Sequence, residues 1–237
     1  MVITKVIRHC LGICALLGSV YAASGESPSE KTWWRIGVGG VYGEYRPIDT
    51  KHTGGFFTIQ FRDLVDNVKN VETFQFALDG RVGGSQGNEP FFFADFLIKS
   101  GMNLSFSHTY PLYLNVLYNF ERYYTDRKQA TQMMRQLHQV GVELEGIIKS
   151  SQKLRYEYSV GYDYIFSGFY RARADGAQTN LDGYNYGVRA SLGFAYNLSE
   201  SVHYYMKLKA KYYNLAQSGI YPHTQQYIGM LELGIGF

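Results

Sequence analysis

Three lysines stand at alternate positions, Lys207, Lys209 and Lys211. In a strand, that spacing turns all three ammonium groups to one face, where they could line an aqueous path and favour anions or pair with carboxylates. Glu143, Glu145 and Glu157 are candidate partners, and Arg155 and Arg189 are further cations of the same kind. Extended along the chain, the face opposite the apolar one gathers eight cations, adding Arg35, Arg81 and Lys99. It also gathers eight carboxylates, adding Asp79, Asp95, Glu121, Asp163 and Glu232. An isolated charge in an enclosed space is costly, so balanced sets predict ion-paired bridges across it.

Other chemistry is thin. Cys10 and Cys14 both lie in an N-terminal segment read as a signal peptide, residues 1–22, with Lys5 and Arg8 ahead of an apolar run from Cys10 to Tyr21. That run suits an export signal and is too short to span a bilayer as a helix. Cleavage is expected after Ala22, with the Ala23 and Ser24 bonds as alternatives. Cys14 follows Leu11-Gly12-Ile13, too early and with the wrong residue for lipidation. The remaining chain then has no thiol, so disulfides, thiolate metal sites and cysteine nucleophiles are excluded, and no cofactor or metal is expected. It carries 21 basic against 20 acidic residues, which gives nucleic acid no electrostatic footprint.

The elements that must position these charges follow from periodicity. Between Leu154 and Phe166 every even position is apolar or aromatic, and the odd ones are polar or small except Ile165. The alternation returns from Tyr184 to Leu198, from His203 to Tyr212 and from Leu112 to Glu121. A helix would mix both parities on one face, so these are strands. Counting back from the carboxyl end predicts strands near 224–237, 202–213, 183–198, 153–169, 133–149, 111–124, 91–107, 71–82, 54–62 and 33–45. Short links alternate with longer ones. That is a transmembrane antiparallel up-and-down β-barrel, all-β, over residues 33–237 behind a periplasmic segment, 23–32. Ten strands are expected; if the weak stretch from Arg46 to Asn70 is loop, the count is eight. An even count puts both termini on the periplasmic side. The 22 tyrosines and 15 phenylalanines fit such a barrel. Those beside turns are expected in two interfacial girdles, an outer one with Tyr42, Tyr45, Tyr123, Tyr124, Phe169, Tyr170, Tyr184, Tyr212 and Tyr213, and a periplasmic one with Trp33, Trp34, Phe106, Tyr110, Tyr196, Tyr204 and Phe237.

The last strand puts Tyr227, Gly229, Leu231, Leu233, Ile235 and Phe237 on one face, with the aromatic in last place. This resembles the carboxyl-terminal insertion signal of Gram-negative outer-membrane β-barrel proteins. The resemblance implies insertion by the barrel assembly machinery and residence among outer-membrane lipid and lipopolysaccharide, whose phosphates Arg171 and Arg173 could contact. Barrel enzymes that hydrolyse lipid place Ser two residues after His, and none of the six histidines here has one. Asp175, Asp182 and His223 could imitate the loop-side set of a barrel protease, but that family's motifs are missing. The expectation is a non-enzymatic barrel with a structural or surface role and at most a narrow, mildly anion-favouring pore. The alternative is a surface adhesin or antigen that meets a host surface through its loops.

Overall fold

A computed structural model describes residues 32–46, 50–68, 71–85, 90–107, 109–125, 133–151, 153–172, 176–199, 201–219 and 221–237. The expected signal peptide and most of the expected periplasmic segment lie outside the described residues. Ten long strands run antiparallel in chain order: β1 (Thr32–Arg46), β2 (Thr50–Val68), β3 (Val71–Ser85), β4 (Phe91–Asn103), β5 (Leu112–Thr125), β6 (Met133–Lys149), β7 (Leu154–Ala172), β9 (Tyr186–Asn197), β10 (His203–Leu215) and β11 (Thr224–Gly236). A short eleventh, β8 (Gln178–Asn180), pairs only with the end of β7. β11 pairs with β1 from Arg35↔Gly236 to Arg46↔Gln225, which closes the sheet into a barrel. Closure leaves no long edge, and it satisfies the backbone internally, as a strand in hydrocarbon requires.

The count is ten, not eight, because the weak stretch is an ordinary strand. β2 pairs with β1 continuously from Thr32↔Asp63 to Tyr45↔Thr50. The expected strand at 91–107 instead stops at Asn103. There the Asn103 Oδ1 accepts from the backbone N–H of Ser105 at 3.1 Å and of Leu112 at 3.2 Å. A side chain that captures backbone donors in this way replaces the ladder with a turn, and Phe106 within it adopts φ of 50°.

Alternation sorts the two faces. Val116, Val160, Leu192 and Leu208 point outward and are exposed, while Asn115, Glu157, Arg189 and Lys207 on the same strands are buried inside. The molecule is thus apolar outside and charged or polar through much of its interior, the reverse of a soluble sandwich. The β6–β7 register slips once, between His138↔Ser167 and Gln139↔Ile165, so β7 carries a bulge at Phe166. Beyond it the facing of β7 is inverted.

Candidate functional site: the barrel lumen

The lumen has two layers, and the layer nearer the start of β1 and the end of β11 is ionic. Arg35 on β1 sends both guanidinium Nη groups to Glu157 on β7, at 2.8 and 2.5 Å, and its Nε to His203 on β10 at 2.9 Å. Its charge also lies 4.1 Å from the Trp33 ring centroid, a cation–π contact. Lys99 bridges Glu143 at 2.5 Å and Glu145 at 2.7 Å. Arg81 spans Asp79 at 2.5 Å and Asp95 at 2.7 Å, and Arg189 holds Asp163 at 2.5 Å. Each lysine of the row is engaged. Lys207 reaches Glu157 at 3.1 Å, Lys209 reaches Glu232 at 2.7 Å, and Lys211 reaches Asp95 at 2.5 Å. Glu232 also accepts from Gln60 at 2.6 Å and from the Tyr205 hydroxyl at 2.8 Å. Of these bridges, Arg35–Glu157, Lys99–Glu143 and Lys211–Asp95 cross between strands that are not neighbours in the sheet, and they stand in the way of any wide axial path.

Two cations of the lumen, Arg62 in this layer and Arg135 at its border with the loop-side layer, are not apparent from the sequence. Arg62 pairs with Glu145, and Arg135 with Glu121 and the Gln226 amide. Arg62 shares parity with Gln60, but it stands at the expected end of a strand that in fact continues to Val68. Arg135 belongs to β6, whose alternation is blurred by its glycines and glutamines.

The layer on the loop side is apolar. Tyr45, Phe56, Phe91, Phe93, Tyr123, Leu137, Ile165, Tyr170, Tyr213 and Leu215 form one buried cluster. Phe91 stacks on Phe93 at 6.2 Å and on Tyr123 at 5.8 Å. The loops between β7 and β9 and between β10 and β11 fold down onto this cluster. Leu181 and Tyr221 pack against it, with Tyr221 stacked on Tyr170 at 4.5 Å. The Leu181 N–H donates to the Gly168 carbonyl at 2.9 Å. Asn185 Oδ1 accepts from the Ala216 N–H at 2.7 Å, tying the two loops together.

This layer corrects the expected girdles. Tyr45, Tyr123, Tyr170 and Tyr213 face the interior, and so does Trp33 at the other end. For Tyr45, Tyr123, Tyr213 and Trp33 the reason is parity: each lies an even number of residues from an inward charge on its own strand. For Tyr170 it is the bulge. Tyr42, Tyr184, Tyr196 and Tyr204 are exposed on the outer wall. There a run of ring contacts links Tyr164, Tyr184, Tyr186, Tyr212 and Tyr227.

The other residues singled out by sequence lie at the seam, on the outer wall and among the loops. Tyr227, Leu231, Leu233 and Ile235 are exposed on the outer face of β11. Phe237 exchanges backbone hydrogen bonds with Trp34 at 2.7 and 2.9 Å, at the closing seam. Arg171 is exposed, its guanidinium lying 5.6 Å from the Phe169 ring centroid and donating to Gln178 Oε1 at 3.0 Å. Arg173 and Asp175 lie outside the described residues. The Asp182 N–H donates to Ser218 Oγ at 3.0 Å, and His223 Nε2 lies 2.8 Å from Asn214 Oδ1.

No protein-family model matches the chain, and no curated protein matches it. Solved structures do. The outer membrane protease OmpT from Escherichia coli is similar with a TM-score of 0.63 at 10% identity, over 90% of this chain and 99% of that one. The translocator domain of the autotransporter NalP from Neisseria meningitidis is similar with a TM-score of 0.50 at 14% identity, over 98% of this chain and 97% of that one. The fold is that of the Gram-negative outer-membrane β-barrels. At these identities the likeness is one of architecture and transfers no activity.

Proposed function

We propose that the protein is an integral outer-membrane barrel with an occluded lumen, structural or surface-acting in role, through which any path is narrow and mildly favours anions. The observation that carries this reading is the double obstruction of the interior. Every lysine of the row is bound to a carboxylate, and an aromatic layer capped by two loops lies above. Geometry agrees, since about eight strands leave an interior just filled by side chains and about 16 to 18 leave a channel. Export by the signal peptide, insertion through the β11 face ending at Phe237, and contact of Arg171 and Arg173 with lipopolysaccharide phosphates belong to the same reading. It assigns no enzymatic activity, and the likeness to a protease adds none.

Planar-bilayer recording tests it. Conductance is expected to be small or absent. If a residual current exists, Lys207→Glu with Lys209→Glu should shift its selectivity from anions toward cations, an effect that weakens as salt screens the charges. A large, stable conductance unchanged by those substitutions overturns the occluded lumen.

A second reading, recognition of a host surface, is favoured by the way the described loop residues 176–185 and 216–219 are tied together by hydrogen bonds into one cap. Whole-cell binding to host surfaces that disappears when these loops are exchanged would support it, and binding indifferent to the exchange would sink it.

A further inference from the structure

Within the ionic layer lies a chamber of about 60 Å³. A water needs roughly 10 to 15 Å³ of such space, so the chamber has room for several waters or for one small polyatomic ion. Its walls are strongly biased in charge. Arg81, Lys99, Arg189, Lys207, Lys209 and Lys211 line it, against three carboxylates, Asp79, Glu143 and Glu145.

The bias holds for the whole interior. Among the described residues the lumen carries ten cations, the eight expected from sequence together with Arg62 and Arg135, against eight carboxylates. Arg155 lies near the mouth, where water can share its charge, but setting it aside leaves the cations still in excess. Among the described residues the lumen cations therefore outnumber the lumen carboxylates, and an uncompensated buried charge is costly.

Strand register concentrates the problem at the chamber wall. Lys211 on β10 lies directly opposite Arg189 on β9, and like charges facing each other across a ladder repel. The two turn to different acids, Lys211 to Asp95 and Arg189 to Asp163. One step along the same pair of strands Lys209 faces Ser191, whose hydroxyl lies 2.8 Å from that of Ser159. Ammonium groups, a guanidinium and two hydroxyls thus converge on one space, to which each ammonium brings three N–H donors.

We propose that this chamber is a binding site for a small tetrahedral oxyanion of the phosphate or sulfate class, held inside the barrel as a fixed counter-charge. Guanidinium and ammonium donors suit oxyanions, and the chamber is larger than a halide needs. The site is independent of the occluded-lumen reading: bilayer current decides that one, and anion binding decides this one.

The test uses the full-length barrel, purified and folded in detergent. Equilibrium dialysis with labelled phosphate should show saturable binding approaching one per barrel, displaced by sulfate and not by chloride at equal ionic strength. Phosphate should likewise raise the midpoint of the heat-induced gel shift. Ser191→Asp sets a carboxylate opposite Lys209, supplies the missing negative charge and should abolish phosphate binding while the barrel stays folded. Should that variant fail to fold, Ser159→Asp makes the same change from β7. Absence of saturable binding in the wild-type barrel overturns the proposal, as does displacement by chloride as readily as by sulfate. Binding undiminished in a folded Ser191→Asp or Ser159→Asp barrel overturns it as well.

Discussion

The two halves of the lumen solve the same packing problem by opposite means. Near the termini the space is filled by long charged side chains, each aimed at a particular partner, as Arg35 is at Glu157 and Lys99 at Glu143 and Glu145. Toward the loops it is filled by rings and branched aliphatics such as Phe91, Phe93 and Leu137, which need only fit. Arg135 joins them, pairing with Glu121 on one side while lying 5.4 to 5.9 Å from the Tyr213, Tyr123 and Tyr45 rings on the other. An ionic interior is directional and tolerates little error, because a half-satisfied polar network is worse than none. An apolar interior accepts any well-shaped filler. The ionic half therefore specifies strand register, and the apolar half seals.

The comparison can be broken most severely in the ionic half. Arg189→Met strips Asp163 of its guanidinium partner and should cost about 3 to 5 kcal/mol, read from urea unfolding in detergent. Adding Asp163→Leu to that variant should restore most of the loss, since an apolar pair can stand in for a buried ion pair. If the single and double variants are equally unstable, the directional account of this half is wrong. In the sealing half, Leu137→Ala empties a fully buried position and should cost about 2 to 4 kcal/mol, whereas Leu137→Met should cost less than about 1.5. Equal losses from both would mean that this layer is as exacting as the other.

A smaller effect is expected where a glycine makes room for the ionic half. A Cβ on Gly37 would collide with the Tyr205 hydroxyl and stand 2.8 Å from the Leu233 carbonyl oxygen. Gly37→Ala should thus displace Tyr205 from Glu232 and cost about 1 to 3 kcal/mol. The smallest belongs to the exterior, where Arg46 pairs with Glu44 at 2.8 Å with 61% of its side chain exposed. Arg46→Ala should change stability by less than about 1 kcal/mol, and a larger loss would show that the interior is not where stability is concentrated.

Much of the fold is legible in the sequence because a membrane strand is a strict period-two object. The bounds at 133–149 match β6, and most other strands differ by a few residues at their ends, while β2 runs well beyond the expected 54–62 at both ends. The ionic half is legible for the same reason: parity alone turns Lys207, Glu157 and Arg189 to one side. The apolar half is not, because a tyrosine beside a turn fits an interfacial girdle as well as it fits a lumen. Parity opposes the girdle for Tyr45, Tyr123 and Tyr213, while their nearness to turns argues for it, and in the folded barrel parity wins. Tyr170 cannot be placed from sequence, because nothing about Phe166-Ser167 announces a bulge. The loop cap, too, depends on Leu181 and Tyr221 meeting rings from distant strands, a contact that no local pattern encodes.

The seam between β1 and β11 has a consequence in time. Every other pairing of long strands joins neighbours in the chain, apart from the brief detour through β8, but this one joins residues roughly two hundred positions apart. Pairing that distant is slow to form, so the seam is expected to close last, with β1 and β11 as bare edges until it does. Such an edge accepts any strand offered to it. The vulnerable moment in the life of this protein is therefore the interval before closure, when a second unfinished chain competes with its own first strand. The backbone bonds of Phe237 to Trp34 are the latch that ends it.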